Sequence, residues 1–190
     1  MNAAVRGLFP IRGEGARLRD ERYARLAATF GPAIERLSEA FEADSDLQRD
    51  LQQDIHFALW RSLSRFDGLC SERTWVFRVA HNVAASHVIR HKRARLRHMA
   101  TLEDVADHPD PSQPDPEAAA GEQQALERLT ELIRTLDPQE RQIVVLYLEG
   151  LDTNAIGEIC GLSPTAISTR VHRLKSVLAR RFQQPQGSPS

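Results

Sequence analysis

Hydrophobic residues recur along most of the chain at spacings of three and four, the period of an α-helix with one buried face. A first apolar stripe consists of Tyr23, Leu26, Ala27 and Phe30. Gly31-Pro32 then predicts a restart of the chain, after which a second stripe consists of Ile34, Leu37 and Phe41. No alternating pattern typical of a β-strand occurs. We therefore predict an all-α fold.

A third helix is predicted to begin at a capping box formed by Ser45 and Gln48. Its buried stripe consists of Leu47, Leu51, Ile55, Ala58, Leu59 and Leu63. Its outer face carries Asp50, Gln53 and Asp54. On the residues alone, this acidic face is either a docking surface for a basic partner or a solvated helix face.

A long fourth helix follows a break at Asp67-Gly68, and Ser71 is its predicted N-cap. Its inward residues are Trp75, Val76, Val79, Ala80, Val83 and Val88. Phe77 lies on a different side of the helix from Trp75. We therefore expect Phe77 to be partly exposed and available to stack on an unpaired base.

The chain is predicted to fold as two small helical domains. Residues 99–122 have the composition of a linker, because prolines and acidic residues dominate them and they cannot bury a core. Helical periodicity resumes near Glu122, and Asp137-Pro138 with Glu140 opens a further helix. The predicted limits are a flexible leader at 1–22, a first domain at 23–98, an acidic, proline-rich linker at 99–122, a second domain at 123–184 and a tail at 185–190.

Residues 152–173 have the pattern of a helix-turn-helix. Asp152 is the predicted cap of a short helix, Gly161 supplies the turn, and Ser163 with Pro164 starts a second helix. The buried stripe of that second helix is Ile167, Val171, Leu174 and Leu178. Its outward residues are Thr165, Ser168, Thr169, Arg170 and Arg173. Small polar groups and arginines suit a helix that reads the major groove of DNA, whereas the alternative is a helical hairpin that only packs.

Charge is segregated along the chain, although the formal net charge is only -1. Five lysines and arginines lie within residues 90–97, and no acidic residue follows Ser163. The fourth helix carries Arg78, Asn82 and Ser86 on one face and ends in this basic cluster, which includes Arg90 and Arg93. These residues form a second candidate nucleic-acid surface, while the alternative is a solvated polar face.

The sequence contains no clear pattern for a disulfide, a metal site or a membrane span. Cys70 and Cys160 lie far apart without metal-ligand spacing, and no run reaches the roughly 18 apolar residues of a membrane span. His87 and His91 have the spacing of a helical metal pair, but cations surround them. We expect a cytoplasmic protein without membrane insertion, and neither an enzyme nor a holder of a metal or cofactor.

Four stretches in this order resemble the extracytoplasmic-function (ECF) group of the bacterial sigma-70 family. Residues 50–63 resemble the helix that grips the clamp of the largest polymerase subunit, and 64–93 resemble the region that recognises and opens the -10 promoter element. Residues 136–151 and the helix-turn-helix resemble the region that reads the -35 element. The resemblance implies an alternative sigma factor whose partners are core RNA polymerase, promoter DNA and an anti-sigma factor.

The resemblance also implies roles for individual residues. Asp50, Gln53 and Asp54 match clamp-binding positions, Arg78 and Asn82 match -10 contacts, and Arg170 and Arg173 match basic positions of the recognition helix. Residues 67–71 fall where the family captures a flipped -10 base. The departures from the family pattern are His56 for Phe, Ala155 for Glu, Gly157 for Ala and Ser168 for Lys.

Two other functions remain open at this point. One is a helix-turn-helix regulator whose first domain senses a ligand or dimerises, which predicts tight binding to duplex DNA without polymerase. The other is a helical enzyme or metal protein that uses His87 and His91.

Overall fold

All regular secondary structure in the described part of the chain is helical. The computed structural model describes residues 12–99 and 119–183, with side chains described for 16–91, 121 and 123–183. The elements are α1 (Arg12–Phe41), α2 (Ser45–Ser62), a 3-10 turn (Leu63–Arg65), α3 (Glu72–Met99), α4 (Ala119–Arg134), α5 (Pro138–Leu148), α6 (Thr153–Cys160) and α7 (Pro164–Gln183). The predicted all-α fold is confirmed. No described helix is both long and apolar enough to cross a membrane.

Most helices begin at a side chain that accepts hydrogen bonds from the first turn. Asp137 accepts from the backbone N–H groups of Gln139 and Glu140, and Asp152 accepts from that of Ala155. The hydroxyls of Ser71 and Ser163 accept from Thr74 and Ala166. These four predicted caps are confirmed.

The predicted cap of α2 was one residue too late. Asp44, not Ser45, accepts hydrogen bonds from the backbone N–H groups of Asp46 and Leu47. A carboxylate is both a better acceptor than a hydroxyl and favourable at a positive helix N-terminus. Gln48 instead donates its amide to the carbonyl of Glu42.

Helix α1 continues through Pro32, where the sequence predicted a restart. Proline removes one hydrogen-bond donor from a helix interior and normally bends or ends the helix. Here Leu26 before the proline and Ile34 and Leu37 after it are all buried on one face. Burial of one continuous stripe against α2 and α3 stabilises the unbroken helix.

Two predicted domain limits also differ from the structure. Helix α1 begins at Arg12, so residues 12–22 are helical and do not belong to a leader. Helix α4 begins at Ala119, before the predicted end of the linker at residue 122. Residues 1–11, 100–118 and 184–190, which hold the rest of the leader, most of the linker and the tail, lie outside the described residues.

Helices α1 to α3 form an N-terminal unit around one apolar core. Leu51, Ile55 and Leu59 of α2 are at most 2% exposed, as the predicted stripe requires. Phe77 was expected to be partly exposed, and this was wrong because it is 1% exposed. Its ring packs edge-on against Phe30 of α1, with 6.3 Å between centroids, so it cannot stack on a base.

Helices α4 to α7 form a C-terminal unit that contains the helix-turn-helix. Ile167, Val171, Leu174 and Leu178 of α7 are buried, as predicted. Gly161 adopts a left-handed φ of 69° at the turn, which glycine tolerates without strain. A Cβ at Gly157 would lie 2.6 Å from the carbonyl oxygen of Leu162, so α6 and the turn approach closely only because this residue is glycine.

The two units are in contact with each other. Helix α1 contacts α4 and α5, and α3 contacts α5 and α6. Arg134 Nε of α4 donates to the carbonyl oxygen of Glu39 at 2.7 Å. Buried residues of both units belong to one hydrophobic cluster. The units are therefore docked on each other in this structure.

Candidate nucleic-acid interface

Helix α7 presents the predicted -35 residues on the side opposite its buried stripe. Thr165, Ser168, Thr169 and Arg173 are exposed, and Arg170 is half-buried. The Thr169 hydroxyl donates to the carbonyl of Thr165 within the helix. Hydroxyls and guanidiniums on one helical face supply donors for base edges and phosphates.

Both arginines of this face are held by the first turn of α5. Arg170 Nη1 donates to Oε1 of Gln139 at 2.8 Å, and the Arg173 guanidinium pairs with the carboxylate of Glu140. The Glu140 side chain is 20% exposed, so the pair is partly screened from water. These contacts limit the rotamers of both arginines, which lowers the side-chain entropy that either arginine would lose on binding a ligand. Gln139 and Glu140 were not predicted from the sequence to hold these arginines.

Helix α3 presents Asn82 and Ser86 to solvent, while Arg78 is half-buried. The hydroxyl of Ser86 donates to the carbonyl of Asn82 at 2.8 Å. The Arg78 guanidinium pairs with the carboxylate of Glu158 on α6. Arg78 and Asn82 therefore lie on one face, as predicted, but Arg78 is already engaged by the other unit.

Arg90 of α3 lies against the acidic face of α2. Arg90 Nη2 donates to Oδ2 of Asp54 at 2.7 Å. A groove of about 310 Å³ lies at this contact, lined by Asp50, Gln53, Asp54, His87, Arg90 and His91. Arg90, which is predicted to contact DNA, is thus paired with Asp54, which is predicted to contact polymerase. Arg93 lies on α3, but its side chain is outside the described residues.

His87 and His91 face each other in this groove, with 4.2 Å between ring centroids. His87 is buried, and Nε2 lies 3.5 Å from Oε2 of Glu42. Burial and, next, the neighbouring His91 lower the pKa of His87 below its ordinary value, which outweighs the opposing effect of Glu42. No group of three metal-ligating side chains occurs among the described residues.

The loop between α2 and α3 exposes an apolar side chain at its tip. Leu69 is 88% exposed, and its backbone N–H donates to Oδ1 of Asp67 at 3.1 Å. Gly68 has a left-handed φ of 77°. The neighbouring Cys70 is half-buried and free of any disulfide.

An exposed phenylalanine that stacks on a half-buried tryptophan of α2 was not predicted from the sequence. Phe57 is 58% exposed and stacks on Trp60, with 6.4 Å between centroids, and Arg19 of α1 lies 4.2 Å above the Trp60 ring. The exposure of Phe57 could have been predicted from the sequence, since residue 57 falls outside the buried stripe of Leu51, Ile55 and Leu59. Phe57 follows Asp54 by one helical turn and extends the acidic face.

Comparison with known families matches both units in chain order. Residues 26–94 match sigma-70 region 2, and residues 126–178 match sigma-70 region 4. The first match spans most of the N-terminal unit, and the second spans most of the C-terminal unit.

Curated relatives match most of the chain. It is 25% identical over 166 residues to the RNA polymerase sigma factor NccH of Alcaligenes xylosoxydans xylosoxydans, covering 86% of this chain and 88% of that protein. It is 30% identical over 141 residues to the ECF RNA polymerase sigma factor SigF of Caulobacter vibrioides, covering 73% of this chain and 72% of that protein.

Solved structures show the same fold. The sigma factor RpoE in complex with the anti-sigma factor NepR from Bartonella quintana matches with a TM-score of 0.65 at 17% identity, covering 88% of this chain and 99% of that one. CnrH in complex with the cytosolic domain of CnrY matches with a TM-score of 0.62 at 21% identity, covering 90% and 93%. Together with the two family matches in order and the 30% identical relative, this shows that the chain belongs to the sigma-70 family as an RNA polymerase sigma factor of the ECF group.

Proposed function

We propose that this sigma factor binds core RNA polymerase through α2 and holds a promoter at two points, the -35 element through α7 and the -10 element through α3. The observation that carries the proposal is the exposure of Asn82 on α3 and of Arg173 on α7, each within its family match. The chain performs no covalent chemistry in this role, since the polymerase makes the RNA. Its place of action is the cytoplasm.

The -35 contact is assigned to Thr165, Ser168, Thr169, Arg170 and Arg173. Arg173 and Arg170 supply forked donors for guanine edges or phosphates, and the hydroxyls adapt to donors or acceptors on the bases. Ser168 stands where the family often has Lys, so this face carries less charge than usual. The polymerase and the N-terminal unit also contribute to promoter affinity, and their contributions compensate for the weak -35 contact.

The -10 contact is assigned to Arg78, Asn82, Ser86, Arg90 and Arg93. The Asn82 amide offers two donors and an acceptor on an exposed helix face, which suits the edge of an unpaired base. The arginines attract phosphates without regard to sequence. The nearby loop at 67–71 is proposed to receive the flipped base, with exposed Leu69 as its apolar wall.

The polymerase contact is assigned to Asp50, Gln53 and Asp54, extended by Phe57. An exposed aromatic ring beside carboxylates matches the composition of binding hot spots, where an apolar centre is bordered by charge. In the free chain, Asp54 is paired with Arg90. Polymerase that binds Asp54 is therefore expected to break this ion pair and leave Arg90 available for DNA. An anti-sigma factor is proposed as a further partner, because the similar sigma factor RpoE of Bartonella quintana was solved in complex with the anti-sigma factor NepR.

Charge reversal at Asp50 tests the polymerase contact. Asp50 is exposed on α2, so Asp50→Lys should leave the fold intact and weaken binding to core polymerase about tenfold or more, because a close pair of like charges replaces an attraction. Glu21→Lys, at an exposed position of α1, makes the same charge change on a different helix and serves as the control. Equal affinity of both variants, measured by fluorescence anisotropy with labelled chain, would contradict the assignment.

Truncation at Asn82 tests the -10 contact. Asn82→Ala should reduce open-promoter formation, read as permanganate reactivity of unpaired thymines, by about ten- to a hundredfold, because a well-placed bidentate contact contributes about 1–3 kcal/mol. Affinity for core polymerase should stay unchanged. Loss of both properties together would indicate a structural role, and loss of neither would remove Asn82 from the interface.

A further inference from the structure

A single arginine of α1 contacts both residues that flank the loop at 67–71. Arg22 donates from Nε and Nη2 to Oε1 of Glu72, at 3.2 and 2.8 Å, and Glu72 directly follows the loop. The guanidinium carbon of Arg22 also lies 4.8 Å from the centroid of the Phe66 ring, and Phe66 directly precedes the loop. One guanidinium therefore links the two ends of this loop.

Other contacts fix the same two ends to α3. The Phe66 ring packs against that of buried Trp75, with 5.2 Å between centroids. The hydroxyl of Ser71 accepts the backbone N–H of Thr74 at 3.0 Å. Leu69 at the tip of the loop is nevertheless exposed. The loop thus has fixed ends and an accessible tip, and fixed ends lower the entropy that is lost when a ligand binds to the tip.

A second arginine lies beside the first and is more accessible. Arg25 lies about one helical turn after Arg22, on the same face of α1. Its Nη2 donates to the same Oε1 of Glu72 at 3.1 Å. The Arg25 side chain is 63% exposed, whereas those of Arg22 and Glu72 are 35% and 37% exposed. A guanidinium has several further N–H donors, so Arg25 can bind another anion while it keeps its hydrogen bond to Glu72.

The charges around these arginines attract an anion to the α1 side of the loop. Hydrogen bonds from Arg22 and the charge of Arg25 lower the pKa of Glu72 below its ordinary value, so this carboxylate is ionised at neutral pH. Two guanidiniums around one carboxylate still leave one positive charge. The carboxylate of Asp67, in contrast, lies within the loop and accepts the backbone N–H of Leu69. A phosphate is therefore attracted to the arginines of α1 and repelled by Asp67.

We propose that α1 takes part in the -10 site: Arg25 binds the DNA phosphate next to the flipped base, and Arg22 positions the loop that receives this base. The inference rests on the proposed function, since it requires that the loop at 67–71 receives a base. A flipped nucleotide rotates about its own backbone, so its flanking phosphates stay at the rim of the loop while the base enters it. The forked donors of an arginine suit the oxygens of such a phosphate.

Binding of single-stranded DNA to the complex of the chain with core polymerase tests the phosphate contact. The probe is a fluorescein-labelled strand of about 12 nucleotides from the -10 region of a promoter that the wild-type complex transcribes. Arg25→Ala should bind this probe about three- to tenfold more weakly in an anisotropy titration. Loss of one phosphate contact should also lower the slope of log K against log salt by about 0.7.

Arg17→Ala is the matched control for this titration. Arg17 is exposed, pairs with Glu21 on the same helix, and lies about two turns before Arg25. The substitution removes one guanidinium and one ion pair, as Arg25→Ala does. Arg17→Ala should leave both the affinity and the salt dependence unchanged, and an equal loss in both variants would overturn a specific contact at Arg25.

Uncharged phosphates identify the partner of Arg25. Each phosphate of the probe is replaced in turn by a neutral methylphosphonate. One replacement should weaken wild-type binding by the same factor as Arg25→Ala and should not weaken Arg25→Ala further, because both changes remove the same ion pair. If every replacement weakens Arg25→Ala as much as it weakens the wild type, Arg25 contacts no phosphate and the proposal is overturned.

Abasic probes test whether Arg22 positions the loop. Removal of the base at one position should weaken wild-type binding, which identifies the captured base. Arg22→Ala should lose most of this preference for the intact probe over the abasic probe but keep the wild-type salt dependence, because Arg25 remains. A merely structural role would weaken the binding of both probes equally, and an undiminished preference for the base would overturn the role of Arg22.

Transcription and stability measurements distinguish failure of this inference from failure of the proposed function. Every variant should keep the wild-type circular dichroism and affinity for core polymerase, and exposed Arg25 decides the question if Arg22→Ala unfolds. Absence of promoter-dependent transcription by the wild type rejects the proposed function. Intact wild-type transcription and base capture, with Arg25→Ala and Arg22→Ala both equal to the wild type, reject only the inference about α1.

Discussion

His81 is a buried polar residue in the centre of the N-terminal unit. It is 1% exposed, its ring lies 5.6 Å from that of Phe41 and 6.5 Å from that of Phe77, and among the described atoms neither ring nitrogen has a hydrogen-bond partner. Burial lowers the pKa of His81 to about 3. The imidazole is therefore neutral in the folded chain throughout the physiological pH range.

We expect stability to fall as the pH decreases below about 6.5, the ordinary histidine pKa. Between that value and the folded pKa near 3, the unfolded chain binds a proton that the folded chain does not. One such histidine removes up to about 1.4 kcal/mol of unfolding free energy per pH unit. Urea denaturation at several pH values measures this slope, and His81→Phe should reduce it. A residual slope from His56 and His87, whose pKa values burial also lowers, should remain. A His81→Phe slope equal to that of the wild type would contradict this account.

At the residue scale, the exposure of a side chain could be predicted from the sequence where it depends only on the residue's position around its own helix. The predictions were wrong where a second segment of the chain covers the side chain. The outward residues of α7, such as Arg173, follow from the period of its own stripe. Phe77 was misplaced because α1 supplies Phe30 to cover it, and no local pattern reveals that contact. The engagement of Arg78 by Glu158 was hidden for the same reason, since 80 positions separate them.

At the scale of elements, the helix-turn-helix depends on a close approach at Gly157. Its missing Cβ would lie 2.6 Å from a backbone oxygen of Leu162, which cannot move aside as a side-chain tip could. The family usually has Ala at this position.

Gly157→Ala should destabilise the C-terminal unit by about 1–3 kcal/mol, because α6 must shift to relieve the overlap. Gly121→Ala is the matched control, since nothing lies within 4 Å of a Cβ there. Replacement of a helical glycine at that position should be neutral or stabilise by roughly 0.5–1 kcal/mol. Thermal unfolding followed by circular dichroism distinguishes the two. Equal melting temperatures for both variants would contradict the close approach.

The starts of helices could be predicted because a capping side chain is of a recognisable type and bonds to backbone groups close to it in the sequence. Asp137, Asp152 and Ser163 each act within three residues of their own position. The break expected at Pro32 was wrong because burial along the whole of α1 outweighs one lost hydrogen bond. Propensity rules describe the isolated helix, whereas packing of α1 against α2 and α3 decides its length.

At the scale of the whole molecule, the sequence predicted the order of parts but not their docking. Two helical units and the family to which they belong follow from stripes, caps and motifs. The contact between the units depends on pairs such as Arg36 and Glu149, which are 113 positions apart. Charge complementarity between residues so far apart in the sequence produces no repeating pattern from which the contact could be predicted.

We conclude that this chain directs core polymerase to promoters. Run-off transcription with purified core enzyme on a library of genomic fragments tests it most directly. We expect discrete transcripts that require the chain. We also expect the chain alone to bind the same duplex fragments weakly, because its affinity for promoter DNA is shared with polymerase. Tight duplex binding without polymerase, together with no chain-dependent transcript from any fragment, would contradict it and favour an ordinary helix-turn-helix regulator.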